Sequence, residues 1–378
     1  AAAGFWFAVA VLGQLVFAFA VASFYGLSAA RGNWQQWNKS MTHGYAPGHP
    51  MKNLVVAIHL GSAVIILLSG AIQLIPKIRH RFPSFHRWNG RIYFVAAVAI
   101  SIAGLFMMWV RGTVGDLSQH LGQSLDAALI MLCAAMALRY AFARDFKTHR
   151  RWALRLFMVV SASLFIRAGI FLAFLLNHGP FGFNQTTFSG PFLTFMSFAQ
   201  YLVPLAVLEI YLRTQDRAGA RGRFAMAAGL FVLTVVMGAG IIAVTMAAIL
   251  PTIKKAFDSR KSIADTLSAT IAGSGIDQAA KQYHELKAAA PSTYDFDENE
   301  INSLGYQLLQ AEKFKQAIRI FQLNVEAYPQ SGNTWDSLAE AYMDDGDKAQ
   351  AIANYQRSLR INPRNANAVK MLQKLNAR

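Results

Sequence analysis

The sequence predicts an all-α protein, a seven-transmembrane helix bundle followed by a soluble α-solenoid. Three observations predict it. Apolar runs of about 20 residues, long enough to cross a bilayer, recur seven times before residue 250. After that point the composition turns polar and charged. The polar tail then repeats itself at a period of 34 residues. The reading is a seven-span membrane domain over 1–250, a linker over 251–276 and an extracytoplasmic repeat domain over 277–378.

The spans are expected near Phe5–Gly26, Asn53–Pro76, Trp88–Val110, Leu117–Ala143, Ala153–Asn177, Pro191–Leu212 and Phe224–Leu250. The first has no basic n-region and no small-residue cleavage site, so it reads as a true span and not a signal peptide. The net charge of +16 is not a nucleic-acid signal, because +15 of it lies in the membrane part and +1 in residues 251–378. The charge gathers in three short loops. They hold Lys77 to Arg91, Arg144 to Arg155 and Arg213 to Arg223. The alternate loops carry little. The positive-inside rule then expects a cytoplasmic N-terminus, a periplasmic C-terminal domain and residence in the inner membrane of a bacterium. Cys133 is the only cysteine, so the chain alone makes no disulfide and no cysteine-based metal site.

In the tail, Trp335, Leu338, Ala339, Tyr342, Ala351, Tyr355 and Pro363 are matched 34 residues earlier by Ile301, Leu304, Gly305, Leu308, Ala317, Phe321 and Pro329. Small residues let paired helices approach, and aromatics fill the gaps between them. These offsets resemble the tetratricopeptide repeat over residues 298–363. The resemblance implies helix pairs and a groove that docks a protein partner. Residues 367–376 read as a capping helix and 277–290 as an amphipathic helix packed on the first repeat. His284 is alone and reads as a surface or packing residue. No catalytic constellation occurs in the tail.

Four histidines stand near the ends of four consecutive spans, on alternating sides: His59, His86, His120 and His149. Ionisable residues inside a bilayer are costly, and by default they are functional. Alternate helices pair His59 with His120 near the outer surface and His86 with His149 near the cytoplasmic one. Bis-imidazole pairs of this kind are suited to haem iron. Gly61 and Gly70 would leave room for a flat macrocycle. Asp116 or Asp126 would take the second ring N–H of His120. Arg87 and Arg150, which follow the cytoplasmic histidines, are suited to haem propionates. The same Arg and Trp residues also suit lipid headgroups. Pro83 marks one helix start, and Asp145 or Thr148 would cap another.

This helix order and spacing resemble two-haem cytochromes b of the b-561 type over residues 53–177. The resemblance implies two haems b. The outer pair reads as the better placed, because His86 and His149 lie close to the headgroup zone. The segments around His59, His86-Arg87-Trp88-Asn89-Gly90-Arg91 and His149-Arg150-Arg151-Trp152 also resemble a bacterial membrane family known as domain of unknown function 2306, which implies no activity.

Arg167 falls at the middle of the fifth span and must face a partner, a cavity or an anion. Asp126 or a propionate is the expected partner, with Glu209 too near the cytoplasm. Gln200 and Tyr201 would line the same cavity. His43, His49 and His178 sit in outer loops with Trp34, Trp37 and Tyr45. Their spacing matches no metal motif, and they read as solvated. Gly238 and Gly240 read as a small-residue helix contact. No nucleotide fingerprint appears, so electrons would come from a protein, a quinol or a small reductant. The leading expectation is a membrane cytochrome b that passes electrons across the bilayer. Its rivals are a non-redox scaffold subunit and a transporter or sensor built around Arg167.

Overall fold

The computed structural model describes residues 1–41, 44–179, 182–183 and 188–376. The chain divides into two compact units, Ala1–Asp258 and Ser259–Arg378.

The first unit is helical. It comprises α1 (Ala2–Val21), α2 (Leu27–Ala30), α3 (Pro50–Gln73), α4 (Pro76–Arg81), α5 (Pro83–Phe106), α6 (Leu117–Phe142), α7 (Phe146–Val160), α8 (Ala162–Leu176), α9 (Pro191–Arg217), α10 (Ala220–Val244) and α11 (Leu250–Phe257). Three π-helical turns, Ala22–Gly26, Met107–Arg111 and Thr245–Ile249, continue α1, α5 and α10. Among the described residues six helices are long and apolar enough to cross a membrane, or seven if the bent pair α7–α8 is one span. Outward-facing Leu12, Phe19, Ile58, Val95, Ile102, Leu132, Phe231 and Ile242 meet lipid, which explains large apolar side chains on the surface.

Prolines open α3, α5 and α9, where a missing N–H costs nothing. Asp116 caps α6 through Gln119 N, and Asp145 caps α7 through Thr148 N. The turn between α6 and α7 is closed by Arg144 in the left-handed region, φ 59°.

Helices α3, α5, α6 and α7 form a square. Each touches its neighbours round the sides, α7 returning to α3, while the diagonals graze at most. Ile66, Leu67, Tyr93, Ala97, Ile130, Cys133, Ala134 and Val159 fill its middle. Asn89 donates to the Ser69 carbonyl and Gln73 to the His86 carbonyl, which locks the end of α3 to the start of α5.

The span expected as one helix over 153–177 is broken. α7 and α8 meet at 45°. The cause is Ser161, whose hydroxyl donates to the Phe157 carbonyl at 2.6 Å and accepts from Gln14 Nε2 at 2.7 Å. A serine bonding back to its own helix bends it.

The stretch expected to be a linker, 251–276, is also different. It holds α11 and then α12 (Ile263–Ser274), and the units divide at 258/259. Ile263, Ala264, Leu267 and Ile271 share one face and are buried in the second unit's core. Ser262 caps the helix. Local polarity hid this amphipathic pattern.

The second unit continues with α13 (Ile276–Ala289), α14 (Glu298–Gln310), α15 (Phe314–Ala327), α16 (Gly332–Asp344), α17 (Lys348–Ile361) and α18 (Ala366–Asn376). Strands Lys261–Ser262 and Tyr294–Asp295 pair in parallel. From α14 to α18 each helix packs on the next. Residues 34 apart occupy matching buried positions, as with Leu304 and Leu338, Ala317 and Ala351, and Phe321 and Tyr355. Gly305 is required, since a Cβ there would lie 2.4 Å from the Phe321 ring. His284 lies on the surface, 3.7 Å from Glu326.

Candidate functional site

The candidate site is the set of four histidines and their arginines, and its two ends differ. At the end where α3 and α6 finish and α5 and α7 begin, His86 and His149 lie within electrostatic reach of each other. His149 Nδ1 is 2.8 Å from the Ala137 carbonyl on α6. A carbonyl only accepts, so Nδ1 carries the proton and Nε2 keeps a free lone pair. This is the hydrogen bond that orients a metal-binding imidazole. His86 presents a buried Nδ1 with no hydrogen-bond partner. These two rings come from α5 and α7, on a diagonal of the square.

At the opposite end the two rings have different surroundings. The Cε1–Nδ1 edge of the His59 ring sits over Gly104, with the Ile100 carbonyl beside it, and Nδ1 is buried without a hydrogen-bond partner. His120 stacks edge-on against Trp109 at 5.7 Å, and its Nε2 lies 3.4 Å from Thr113 Oγ1 in the loop. Asp116 is spent on the helix cap and does not serve His120. The outer pair, expected to be the better placed, thus has a separate local neighbour for each ring, Gly104 for His59 and Trp109 for His120.

The expected macrocycle space also divides. Nothing lies within 4 Å of a Cβ added at Gly61. At Gly70 that Cβ would meet the Tyr93 ring at 3.0 Å, so this glycine makes room for a tyrosine.

Arg87 is exposed and bonds Ser84 Oγ at 3.1 Å, and Arg150 is exposed. Neither is held against its histidine. The fixed arginines are others. Arg91 lies over Trp88 and Arg155 over Trp152, each 4.7 Å from the ring centroid. Arg155 also pairs with Glu209 at 2.6 Å, and Arg151 with Asp216 at 2.6 Å. A Trp followed three residues later by Arg, at both helix starts, is the sequence signal that would have found them.

Arg167 on α8 stacks over Phe17 at 4.7 Å and donates to the Ser163 carbonyl at 2.7 Å. It lies within electrostatic reach of Tyr25 and His59 and keeps an open face. Its expected partner Asp126 is elsewhere. That carboxylate is buried within electrostatic reach of Tyr201 and Cys133, with one oxygen unpartnered. Gln200 and Tyr201 are buried on backbone carbonyls, Ser197 and Gly122.

Two grooves flank α3 on its α1 side. One, about 260 Å³, is lined by Val21, Tyr25, Gly26, Leu60, Gly61 and Val64, and the other, about 410 Å³, by Trp34, Trp37, Tyr45, His49 and Asn53. Neither adjoins the paired histidines. Among the described residues no group of three or more His, Cys, Asp or Glu is placed to hold a metal ion. His43 lies outside the described residues.

The model of a family described as a predicted membrane protein (DUF2306) matches residues 56–203. That stretch contains all four histidines, both Trp–Arg stacks and Arg167. With the apolar helices it identifies a membrane protein in contact with the lipid bilayer. A search of curated proteins finds no match.

Proposed function

We propose that the chain is a membrane-bound b-type cytochrome in which His86 and His149 hold one haem b. One observation carries this reading: two imidazoles from diagonal helices stand within electrostatic reach at one end of a helix square, one with its Nδ1 bonded to a backbone carbonyl and the other with a buried, unsatisfied nitrogen. A haem bound there would supply one-electron chemistry. The chain's own part is to fix the His149 tautomer through Ala137 and to pin the start of α5 through Gln73 and Asn89. Trans-bilayer transfer needs a second haem at His59 and His120, which requires His120 to leave Trp109 and Thr113.

In this reading the basic loops face the cytoplasm, and the second unit is a tetratricopeptide-type module outside, in the periplasm, that docks a protein partner. A quinol or protein supplies or takes the electrons. The alternative is a non-redox scaffold that recruits a protein complex through those helix pairs. It is favoured by the side chains that already fill the middle of the square.

The test is the visible spectrum of the purified chain from haem-replete cells, oxidised and dithionite-reduced, with haem quantified per chain. One haem that vanishes in His149→Ala supports the basic-end site, and two support the trans-bilayer path. Colourless protein sinks the cytochrome and leaves the scaffold.

A further inference from the structure

The two grooves beside α3 share Trp34, Trp37 and Ala57 as lining, so they form one trough. Its wider part, about 410 Å³, lies at the start of α3 against Tyr45, His49, Pro50 and Asn53. Its narrower part, about 260 Å³, runs on past Leu60 and Gly61 to Val64, against Val21, Tyr25 and Gly26. From Asn53 to Val64 the helix rises about 16 Å. That is roughly half the thickness of a hydrocarbon core. The trough therefore leads from the interface end of α3 to about mid-bilayer.

Its two parts differ in chemistry. The wide part holds flat rings and free polar atoms. Trp34 stacks on Tyr45 with centroids 6.2 Å apart and meets Trp37 edge-on at 5.2 Å. Among the described residues, the Trp34 indole N–H, the Tyr45 hydroxyl and the His49 ring make no hydrogen bond. The neighbouring polar groups are spent: Asn53 bonds the backbone of Ala46, and the Trp37 indole donates to Ser28 Oγ at 3.0 Å. The narrow part is almost wholly apolar. Gly26 and Gly61 keep it open, since a Cβ added at either meets nothing within 4 Å. Gly26 also ends the π-helical turn Ala22–Gly26, a type of turn that often marks functional sites. Among the described residues the lining of both parts contains no Lys, Arg, Asp or Glu.

This lining selects an occupant with an uncharged, planar head that exchanges hydrogen bonds and a long apolar tail. A charged head would find no counter-charge, and burying a charge unpaired is costly. A cation would find no cage of free ring faces, because Trp34 and Tyr45 stack on each other and Trp37 is buried. We propose that the trough binds an isoprenoid quinone or its quinol, with the ring beside Trp34, Tyr45 and His49 and the tail along Gly26 and Gly61. The indole N–H and the tyrosine hydroxyl donate to the ring oxygens, and a His49 ring nitrogen accepts from a quinol hydroxyl. His59 takes no part, since it stands on the opposite face of α3 with its ring over Gly104. The walls from Val21 to Leu54 precede the matched stretch 56–203, so the trough is mostly this chain's own N-terminal addition to it. As a source or sink of electrons the quinol rests on the cytochrome reading above, whereas its binding does not.

The full chain in detergent is titrated with decylubiquinone, whose oxidised ring quenches nearby tryptophan fluorescence. We expect quenching that saturates at one quinone per chain. Two halves of the probe test the two parts of the trough in the unmodified chain. Ubiquinone-0, the ring without the tail, and decanol, a tail without the ring, should each compete about tenfold more weakly or worse. Tyr45→Phe removes one donor and should weaken decylubiquinone binding about threefold to tenfold. Gly61→Leu fills the narrow part and should weaken it about tenfold or more, with the basic-end haem unchanged. Decanol or phosphatidylcholine competing as well as decylubiquinone overturns the proposal and makes the trough a plain lipid groove. Parent-like binding in both variants also overturns it, and the comparison of probe halves decides the matter even if a variant fails to fold. Saturable binding to a colourless chain keeps the trough and sinks the cytochrome. A haem-loaded chain without saturable quenching does the reverse.

Discussion

The two ends of the helix square use the same element order and reach different results. At the basic end, side chains lock backbone to backbone: Asn89 to Ser69, Gln73 to His86 and His149 to Ala137. The His149 ring and the start of α5 that carries His86 are thereby fixed to neighbouring backbone. At the other end the pins are different: Arg111 donates to the Lys52 carbonyl, tying the far end of α5 to the start of α3, and Trp109 donates to Ser124 Oγ on α6. Each ring packs on a local neighbour, Gly104 for His59 and Trp109 for His120. Equal spacing along the helices therefore does not give equal surroundings. At the basic end a backbone carbonyl fixes the second ring nitrogen of one histidine, His149, as an orienting partner does for a metal-binding imidazole.

The largest effect that would break this contrast is on haem binding. His149→Ala and His86→Ala should each remove the basic-end haem completely, read as loss of the reduced b-type bands. His120→Ala should leave that haem in place, with at most a second haem lost. If His120→Ala strips as much haem as His149→Ala, the ends are equivalent and the tautomer argument fails.

A middle-sized effect belongs to the bend that separates the half of the fifth span carrying His149 from the half carrying Arg167. Ser161→Ala leaves the buried Gln14 amide without its partner, at about 1–3 kcal/mol. The protein should melt several degrees lower in detergent. The double variant Gln14→Leu with Ser161→Ala should recover most of that loss, because removing both partners leaves no orphan. A double variant as unstable as the sum of the singles would mean that the pair is not coupled.

Much of this architecture is legible from residues alone. Apolar runs located the membrane helices because a bilayer demands them, and a 34-residue spacing located Leu304, Phe321 and their partners because stacked helices bury the same positions. Three things were hidden. The bend depends on Gln14 meeting Ser161, 147 positions apart in sequence, and no local pattern reports that contact. The helix α12 was masked by polar residues on its exposed face. The partner of Arg167 was expected from depth alone, but depth does not say what surrounds Asp126, which is buried within electrostatic reach of Tyr201. The histidines were found by type and placement, while their convergence depends on hydrogen bonds to backbone carbonyls that carry no sequence signature.

The smallest effect sharpens the contrast with two matched substitutions on one helix. Gly70 and Gly61 both lie on α3, nine residues apart, and replacing either with Ala gains about 0.5–1 kcal/mol of helix propensity. At Gly61 the new methyl meets nothing within 4 Å, so the gain should appear as a slightly higher melting temperature. At Gly70 it meets the Tyr93 ring at 3.0 Å, and that ring is buried in the central cluster. Overpacking of this kind costs about 1–3 kcal/mol and should outweigh the propensity gain. Gly70→Ala should therefore melt below the parent and Gly61→Ala above it. Because Tyr93 follows His86 on α5, Gly70→Ala should also loosen the basic-end haem, while Gly61→Ala should leave it untouched. Two substitutions that moved stability in the same direction would show that the square is packed alike at both ends, and the difference between its histidine pairs would then need another cause.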